Sequence, residues 1–360
     1  MCIVGTRPEL IRFYPVLFTL LKHPYVQLQF IHTGQHYSFN MDRIFFNQLH
    51  LPNPDLKLDV GLNTQAKQLS KIIDKMEQVI HRFKPEIVAV WGDTTSSLAA
   101  TLATVKSDIP VAHIEAGYRS FDQRMAEETN RILIDHCADL LFPFCSVSQT
   151  NLCQERVSGK IVQVGNPLLD IFWEKAPHYP LTGILEQLEI RGRHILVTCH
   201  RAENVDNPEI LARIVKDLVS LKDFLVIFPA HPRTVNNLKQ YHLWSELYRS
   251  HIIIIEPVGY EEMLDLIQSS FLIVTDSGGL QVEAFFAKKP CITIRRSTEW
   301  VLTVTLGVNF LVDPETQSLL PVVESISNHY QQVLTGFRGN PYGTGQGSRE
   351  VVEALLNFLQ

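Results

Sequence analysis

Short runs of β-branched and other apolar residues alternate along the chain with amphipathic stretches. The runs at 2–4, 27–32, 87–91, 110–115 and 139–143 predict strands in the first half, and those at 193–198, 223–229, 252–255, 271–275 and 291–295 in the second. Between them, residues 8–22 place Leu10, Ile11, Leu17 and Leu21 close to one helical face, with Pro8 suited to a first turn. Residues 66–83 and 261–269 also read as helices. Apolar strands alternating with helices mean a parallel sheet covered on both faces. The pattern runs twice, with about five strands each time, so the expected fold is α/β with two Rossmann-like, doubly wound domains. A Pro-containing break at 166–192 carries little strand character and holds the boundary. The expected division is 1–168, 169–342, and a helix in 343–360 that packs back on the first domain. The first strand has only Met1 to Val4 before Gly5, short for the centre of such a sheet; one reading is an amino-terminus cut short.

Composition narrows the function. The chain has 360 residues, 45% hydrophobic and 19% charged, which suits two globular domains and excludes disordered or collagen-like chains. A net charge of −6 argues against a nucleic-acid partner but leaves an anionic small molecule open. No apolar run reaches the ~18–20 residues that would span a bilayer, and no signal-peptide pattern opens the chain. The six cysteines form no C-x-x-C pair, which fits a reduced, cytoplasmic protein. No H-E-x-x-H spacing occurs, so no metal site is expected.

In open α/β sheets ligands bind at the carboxyl ends of strands. GTRPE (5–9), TGQH (33–36), GDTTSS (92–97) and HIEAG (113–117) follow strands in the first half; CHRAEN (199–204), PAHPRT (229–234), EPVGYEE (256–262) and DSGG (276–279) do so in the second. GTRPE and TDSGGLQVEA (275–284) each look like an anion cradle, a small-residue turn opening a helix. The N–H groups of Ser277, Gly278 and Gly279 are placed to face a phosphate, aided by the helix dipole. Taken alone, each is equally an ordinary capped turn. No G-x-G-x-x-G or G-x-x-x-x-G-K-[ST] loop is present, which removes the dinucleotide oxidoreductase and P-loop readings. Three carboxylates stand out: Asp93 and Glu115 at strand ends, and Glu127 opening a helix. Asp93 also reads as the N-cap of a helix at 95–105, and Glu127 as an ordinary first-turn acid. His113 and Glu115 share a face by strand alternation. His200 and His231 follow strands in the second half.

Together these blocks, with HIEAGYRSFDQRMAEETNRIL (113–133), GNPLLD (165–170) and HRAENVDNPE (200–209), resemble the non-hydrolysing UDP-N-acetylglucosamine 2-epimerases over residues 1 to about 358. The resemblance implies a glycosyltransferase-B-type fold with two domains facing across a cleft. It also implies interconversion of UDP-GlcNAc and UDP-ManNAc by elimination of UDP to 2-acetamidoglucal and re-addition, for surface polysaccharide precursors. No cofactor is implied. By the same resemblance Asp93, Glu115, Glu127 and His200 are the catalytic residues. Arg7, Arg12, His231, Ser277, Gly278, Gly279 and Glu283 hold the UDP-sugar, Glu283 at the ribose hydroxyls, and the protein is a homodimer.

The chain departs from the family's usual pattern at several places. Arg12 stands where Lys is common, Ala126 where Pro is usual, and Trp300 and Leu302 where Arg and Glu are usual in the segment RRSTEWVLTV (295–304). A similar Thr-Glu-Trp-Val occurs in relatives acting on UDP-2,3-diacetamido-uronic acids, which is the alternative substrate. GLNTQAKQL (61–69) lacks the Arg that binds a second, activating UDP-GlcNAc in some members. A glycosyltransferase, a hydrolysing relative that has lost grip on its intermediate near Trp300, and a non-catalytic binder are the competing readings.

Overall fold

The structure, a computed structural model, describes residues 1–35, 52–61, 64–190 and 192–360, with every side chain in them except that of Arg7. The chain forms two compact units, Met1–Glu174 with Asn340–Gln360, and Lys175–Gly339. Of the block at 33–42, residues 36–42 lie outside the described residues, as do 62 and 63 of 61–69.

In the first unit the strands are β1 (Cys2–Val4), β2 (Phe30–His32), β3 (Leu56–Lys57), β4 (Val88–Trp91), β5 (Val111–Ile114), β6 (Leu140–Phe142) and β7 (Lys160–Ile161). They pair in the order β3-β2-β1-β4-β5-β6-β7, each pair parallel. The central strands are buried on both faces, which is why they read as unbroken apolar runs rather than alternating ones. The helix Gln65–Phe83 covers the sheet with a stripe of Gln68, Ile72, Met76, Val79 and Ile80, spaced at three and four. The helix Arg7–Leu21 buries Leu10, Phe13, Tyr14, Val16, Leu17 and Leu20, whereas Leu21, expected on the inward face, is 49% exposed. Phe13 and Leu20 set that face, and Leu21 lies one position, about 100°, past it.

In the second unit β8 (His194–Thr198), β9 (Leu225–Pro229), β10 (Ile253–Ile255), β11 (Ser270–Thr275), β12 (Cys291–Thr293) and β13 (Asn309–Leu311) form a parallel sheet ordered β10-β9-β8-β11-β12-β13. Its core joins Ile195, Val197, Val226, Phe228, Leu272 and Val274 to helix residues such as Leu211, Ile214 and Leu218.

About five strands per sheet were expected; among the described residues there are seven and six. The three extra strands, β3, β7 and β13, all lie at sheet edges and have two or three residues each. So short a segment carries no readable periodicity. The run at 27–32 shrinks to β2 because only Phe30, Ile31 and His32 enter the ladder with β1.

The strand order reverses between β1 and β4 in one unit and between β8 and β11 in the other. These are the topological switch points, where the connections leave in opposite directions and open a crevice at the strands' carboxyl ends. The turns GTRPE and GDTTSS flank the first, and CHRAEN and DSGG the second. The final helix, Gly347–Phe358, belongs to the first unit. Asp170 accepts the N–H groups of Gly347 and Ser348 at 3.0 and 2.7 Å, and Glu350 accepts that of Gly165 at 2.6 Å. Among the described residues no helix is long and apolar enough to cross a membrane.

Candidate functional site

In the first unit, polar side chains gather at the carboxyl ends of β1, β4 and β5. Glu115 follows β5 and is 7% exposed, with its backbone in the left-handed region at φ 72°. For a residue with a Cβ that conformation costs about 1–3 kcal/mol and persists only where surroundings enforce it. They do: Trp91 donates its indole N–H to Glu115 Oε2 at 2.6 Å, and Arg12 lies 3.2 Å from the same oxygen. The alternation expected to put His113 and Glu115 on one face therefore stops at Ile114. The His113 ring meets Asp135 and the Gly92 carbonyl instead.

Asp93 follows β4. It is not the cap of the next helix; Thr94 is, accepting the Ser97 N–H at 3.1 Å. The Asp93 carboxylate is ion-paired with Arg131, and its carbonyl accepts a hydrogen bond from Asn130 at 2.8 Å. Both partners lie on the helix Ala126–Cys137, whose first turn carries Glu127. Glu127 is partly exposed and has no hydrogen-bond or ion-pair partner among the described residues. Its neighbour Glu128 is buried, accepting the N–H groups of Ser120 and Phe121 at 2.9 Å each and pairing with Arg131 at 2.9 Å. The local structural duty of a first-turn acid thus falls to Glu128 and leaves Glu127 without one. Arg12 meets Glu115 directly, and Arg131 joins Asp93 to the helix of Glu127. Arg7 opens the first helix, but its side chain lies outside the described residues.

The GTRPE turn is not an open anion cradle. Glu9 reaches back and accepts the N–H groups of Gly5 and Thr6 at 2.8 Å each, the Thr6 hydroxyl at 3.1 Å, and the hydroxyls of Thr94 and Ser97 at 2.6 and 3.0 Å. A carboxylate from the chain itself takes the place a phosphate was expected to fill. Burial pushes the Glu9 carboxyl above its ordinary range, and these hydrogen bonds oppose the shift.

The second unit keeps its cradle open. Ser277 Oγ accepts the Leu280 N–H at 3.5 Å and so caps the helix Gly278–Phe286. The Ser277 N–H, expected to be available, already donates to Thr275 Oγ1 at 2.9 Å. Two donors remain, the N–H groups of Gly278 and Gly279, which have no acceptor among the described residues. A Cβ at Gly278 would lie 2.4 Å from Glu299 Oε1, so a side chain there requires the Glu299 carboxylate to shift. Fully buried Asp276 ties this turn to the CHRAEN loop by accepting the N–H groups of His200 and Arg201 at 2.9 Å each and the Asn204 amide at 3.1 Å. The His200 ring is 39% exposed, with Nδ1 3.6 Å from Asp276 and the ring centroid 5.6 Å from that of His231. His231 Nδ1 accepts the Arg233 N–H at 3.1 Å. His200, His231 and Ser277 are thus brought together. Glu283 lies one and a half turns further along the same helix, near enough to Tyr260 to help raise its hydroxyl pKa, after burial.

Trp300, where the family usually has Arg, is 1% exposed; its backbone N–H donates to Thr298 Oγ1 at 3.1 Å, and its carbonyl accepts the Thr303 hydroxyl at 2.7 Å. Its indole nitrogen would lie 3.8 Å from a Cβ at Gly278, so it stands beside the turn of Ser277. Among the described residues no cluster of His, Cys, Asp and Glu could hold a metal ion.

The family model described as UDP-N-acetylglucosamine 2-epimerase matches residues 19–356. The chain belongs to the UDP-N-acetylglucosamine 2-epimerase family. It is 41% identical over 362 residues to the UDP-N-acetylglucosamine 2-epimerase of Methanocaldococcus jannaschii, covering 98% of this chain and 97% of that one. It is 40% identical over 365 residues to the UDP-2,3-diacetamido-2,3-dideoxy-D-glucuronate 2-epimerase of Pseudomonas aeruginosa, covering 99% of each. The crystal structure of the M. jannaschii epimerase in complex with UDP-GlcNAc and UDP superposes with a TM-score of 0.89 at 38% identity over 99% of each chain.

Within this epimerase-family chain, sequence reasoning passed over three buried carboxylates that organise the turns: Glu9, Asp135 and Asp276. Glu9 and Asp276 carried a usable signal, since each lies one to five residues past an apolar strand, where a buried acid needs a partner. Asp135 lies in the last turn of its helix and carried none.

Proposed function

We propose that the chain is a UDP-N-acetylglucosamine 2-epimerase, interconverting UDP-GlcNAc and UDP-ManNAc without a cofactor. The hydrogen on carbon 2 of the sugar is not acidic, so its removal must be coupled to departure of UDP. A carboxylate takes the proton, the C2–H electrons form the C1=C2 bond of 2-acetamidoglucal, and the C1–O electrons leave with UDP. Re-addition delivers a proton to the opposite face and reforms the C1–O bond. We assign the proton transfers to Asp93, Glu115 and Glu127. Arg7, Arg12, His200 and His231 would steady the charge on the departing diphosphate, Gly278 and Gly279 would donate to it beside the Ser277 cap, and Glu283 would bind the ribose hydroxyls. The observation that carries this reading is Glu115, a carboxylate held in a costly backbone conformation at a strand's carboxyl end by an indole N–H and a guanidinium.

The relative of equal similarity that acts on UDP-2,3-diacetamido-2,3-dideoxy-D-glucuronate supports a second substrate for the same chemistry. One experiment separates the readings: incubation with each UDP-sugar in deuterated water, followed by NMR. A 2-epimerase gives both epimers with deuterium at carbon 2. A hydrolase gives UDP and free sugar, and a transferase or binder gives no label. A homodimer in the cytoplasm completes the proposal, with light scattering as the check on its size.

A further inference from the structure

The fully buried ring of His113 has both nitrogens engaged. Nε2 is 2.9 Å from the carbonyl oxygen of Gly92, which can only accept, so Nε2 carries a proton. Nδ1 is 2.6 Å from Asp135 Oδ1. The other oxygen of Asp135 already accepts the Gly117 N–H at 3.0 Å and lies 2.8 Å from the Arg119 guanidinium. Burial alone would push the Asp135 carboxyl up, but His113 and Arg119 together hold it below its ordinary range. At 2.6 Å a bare Nδ1 and a bare carboxylate oxygen would be two acceptors facing each other, so a proton lies between them. Arg119 in turn pairs with Glu155 at 2.6 Å, which extends the network.

The segments this pair ties together are the ones that carry the three acids. Gly92 precedes Asp93, Gly117 follows Glu115 by two residues, and Asp135 lies on the helix that opens with Glu127. We propose that the buried, hydrogen-bonded His113–Asp135 pair is the positioning device of the active site, setting the turns of Asp93 and Glu115 and the helix of Glu127 in mutual register. The proposal rests on the epimerase reading. A buried polar pair gives little net stability over well-packed apolar residues of the same volume, so its worth here is geometric. Proton transfer is the step most sensitive to such geometry, and a misplacement of about 1 Å costs about a hundredfold in rate.

The test uses the full chain as wild type, Asp135→Asn and His113→Asn. Asparagine at 135 keeps the shape but offers Nδ1 one oxygen without charge; asparagine at 113 keeps a donor toward Asp135 and loses Gly92. Expected is a fall in kcat of about tenfold or more with KM and UDP affinity within about threefold, in whichever variant retains a wild-type circular dichroism spectrum. Proton NMR of the wild type should show a strongly downfield, slowly exchanging proton in the short hydrogen bond between His113 Nδ1 and Asp135, absent from His113→Asn. Wild-type kcat in a folded variant, equal losses in kcat and UDP affinity, or a wild-type spectrum without that proton each overturn the proposal. Wild-type protein that fails to label either UDP-sugar in deuterated water sinks the epimerase reading instead. The wild-type proton spectrum needs no variant, so a missing resonance overturns the pair even if both substitutions fail to fold.

Discussion

Trp91 and Glu115 end neighbouring strands, and the indole N–H of the first holds the carboxylate of the second at 2.6 Å. The contact fixes one oxygen of an acid whose backbone is already left-handed. Glu115→Gln should reduce turnover by about a thousandfold, in the range for loss of a general acid–base, and leave UDP affinity within about tenfold. Matched losses in both would assign Glu115 to folding. Trp91→Phe retains an aromatic ring beside Phe13 and Phe144 and removes only the donor. A hydrogen bond to a charged group is worth about 1.5–3 kcal/mol, so kcat/KM should fall by about ten- to a hundredfold. Steady-state kinetics check both.

Ser277→Asp should leave the helix Gly278–Phe286 intact, because Asp caps helices as well as Ser does. Its charge would then stand beside the two open N–H groups of Gly278 and Gly279 and repel a diphosphate. UDP affinity by calorimetry should drop by about tenfold or more, with an unchanged melting temperature. Undiminished affinity would remove this turn from the nucleotide site.

At Gly278 even a methyl group has nowhere to go without displacing Glu299, which is itself paired with Arg295 at 3.0 Å. Gly278→Ala should cost at most about 1 kcal/mol of stability, because only the end of the Glu299 side chain has to shift. It should also weaken UDP binding, since the displaced carboxylate moves at the mouth of the cradle. Thermal melts with and without UDP measure both effects.

Two buried histidines give the protein an acid-side weakness. Burial lowers the pKa of His32 and of His194 from 6.5 to about 4, helped by Lys57 and Lys289 respectively. Between those values the unfolded chain binds the protons and the folded chain does not, so stability is full above pH 6.5 and falls as pH drops toward 4. Each histidine can account for about 3 kcal/mol by pH 4. Urea unfolding at several pH values should show the decline, and His194→Gln should flatten it; an unchanged slope would exonerate that histidine.

The doubly wound architecture is legible in the sequence because central parallel strands are near-continuous apolar runs, and those runs match β1, β4, β5, β8 and β11. Edge strands such as Leu56–Lys57 are not, because pairing on one side alone imposes no pattern on two residues. The placement of candidate residues at strand ends is legible, as with Asp93, Glu115 and His200. What those residues bind is not, since Arg131 and Asp93 meet across 38 positions and His113 and Asp135 across 22. Local reading therefore assigned Asp93 a capping role that Thr94 performs, and took the GTRPE turn for a phosphate cradle when Glu9 fills it.

That last difference separates the two turns that looked alike. In the amino-terminal turn the N–H groups of Gly5 and Thr6 are taken by a side chain that cannot diffuse away, so those two donors are closed to dissolved phosphate or sulfate. Its carboxyl-terminal counterpart keeps an unspent positive end and must respond to whatever anions the surrounding solution holds. The two halves of this one polypeptide thus answer differently to the same buffer.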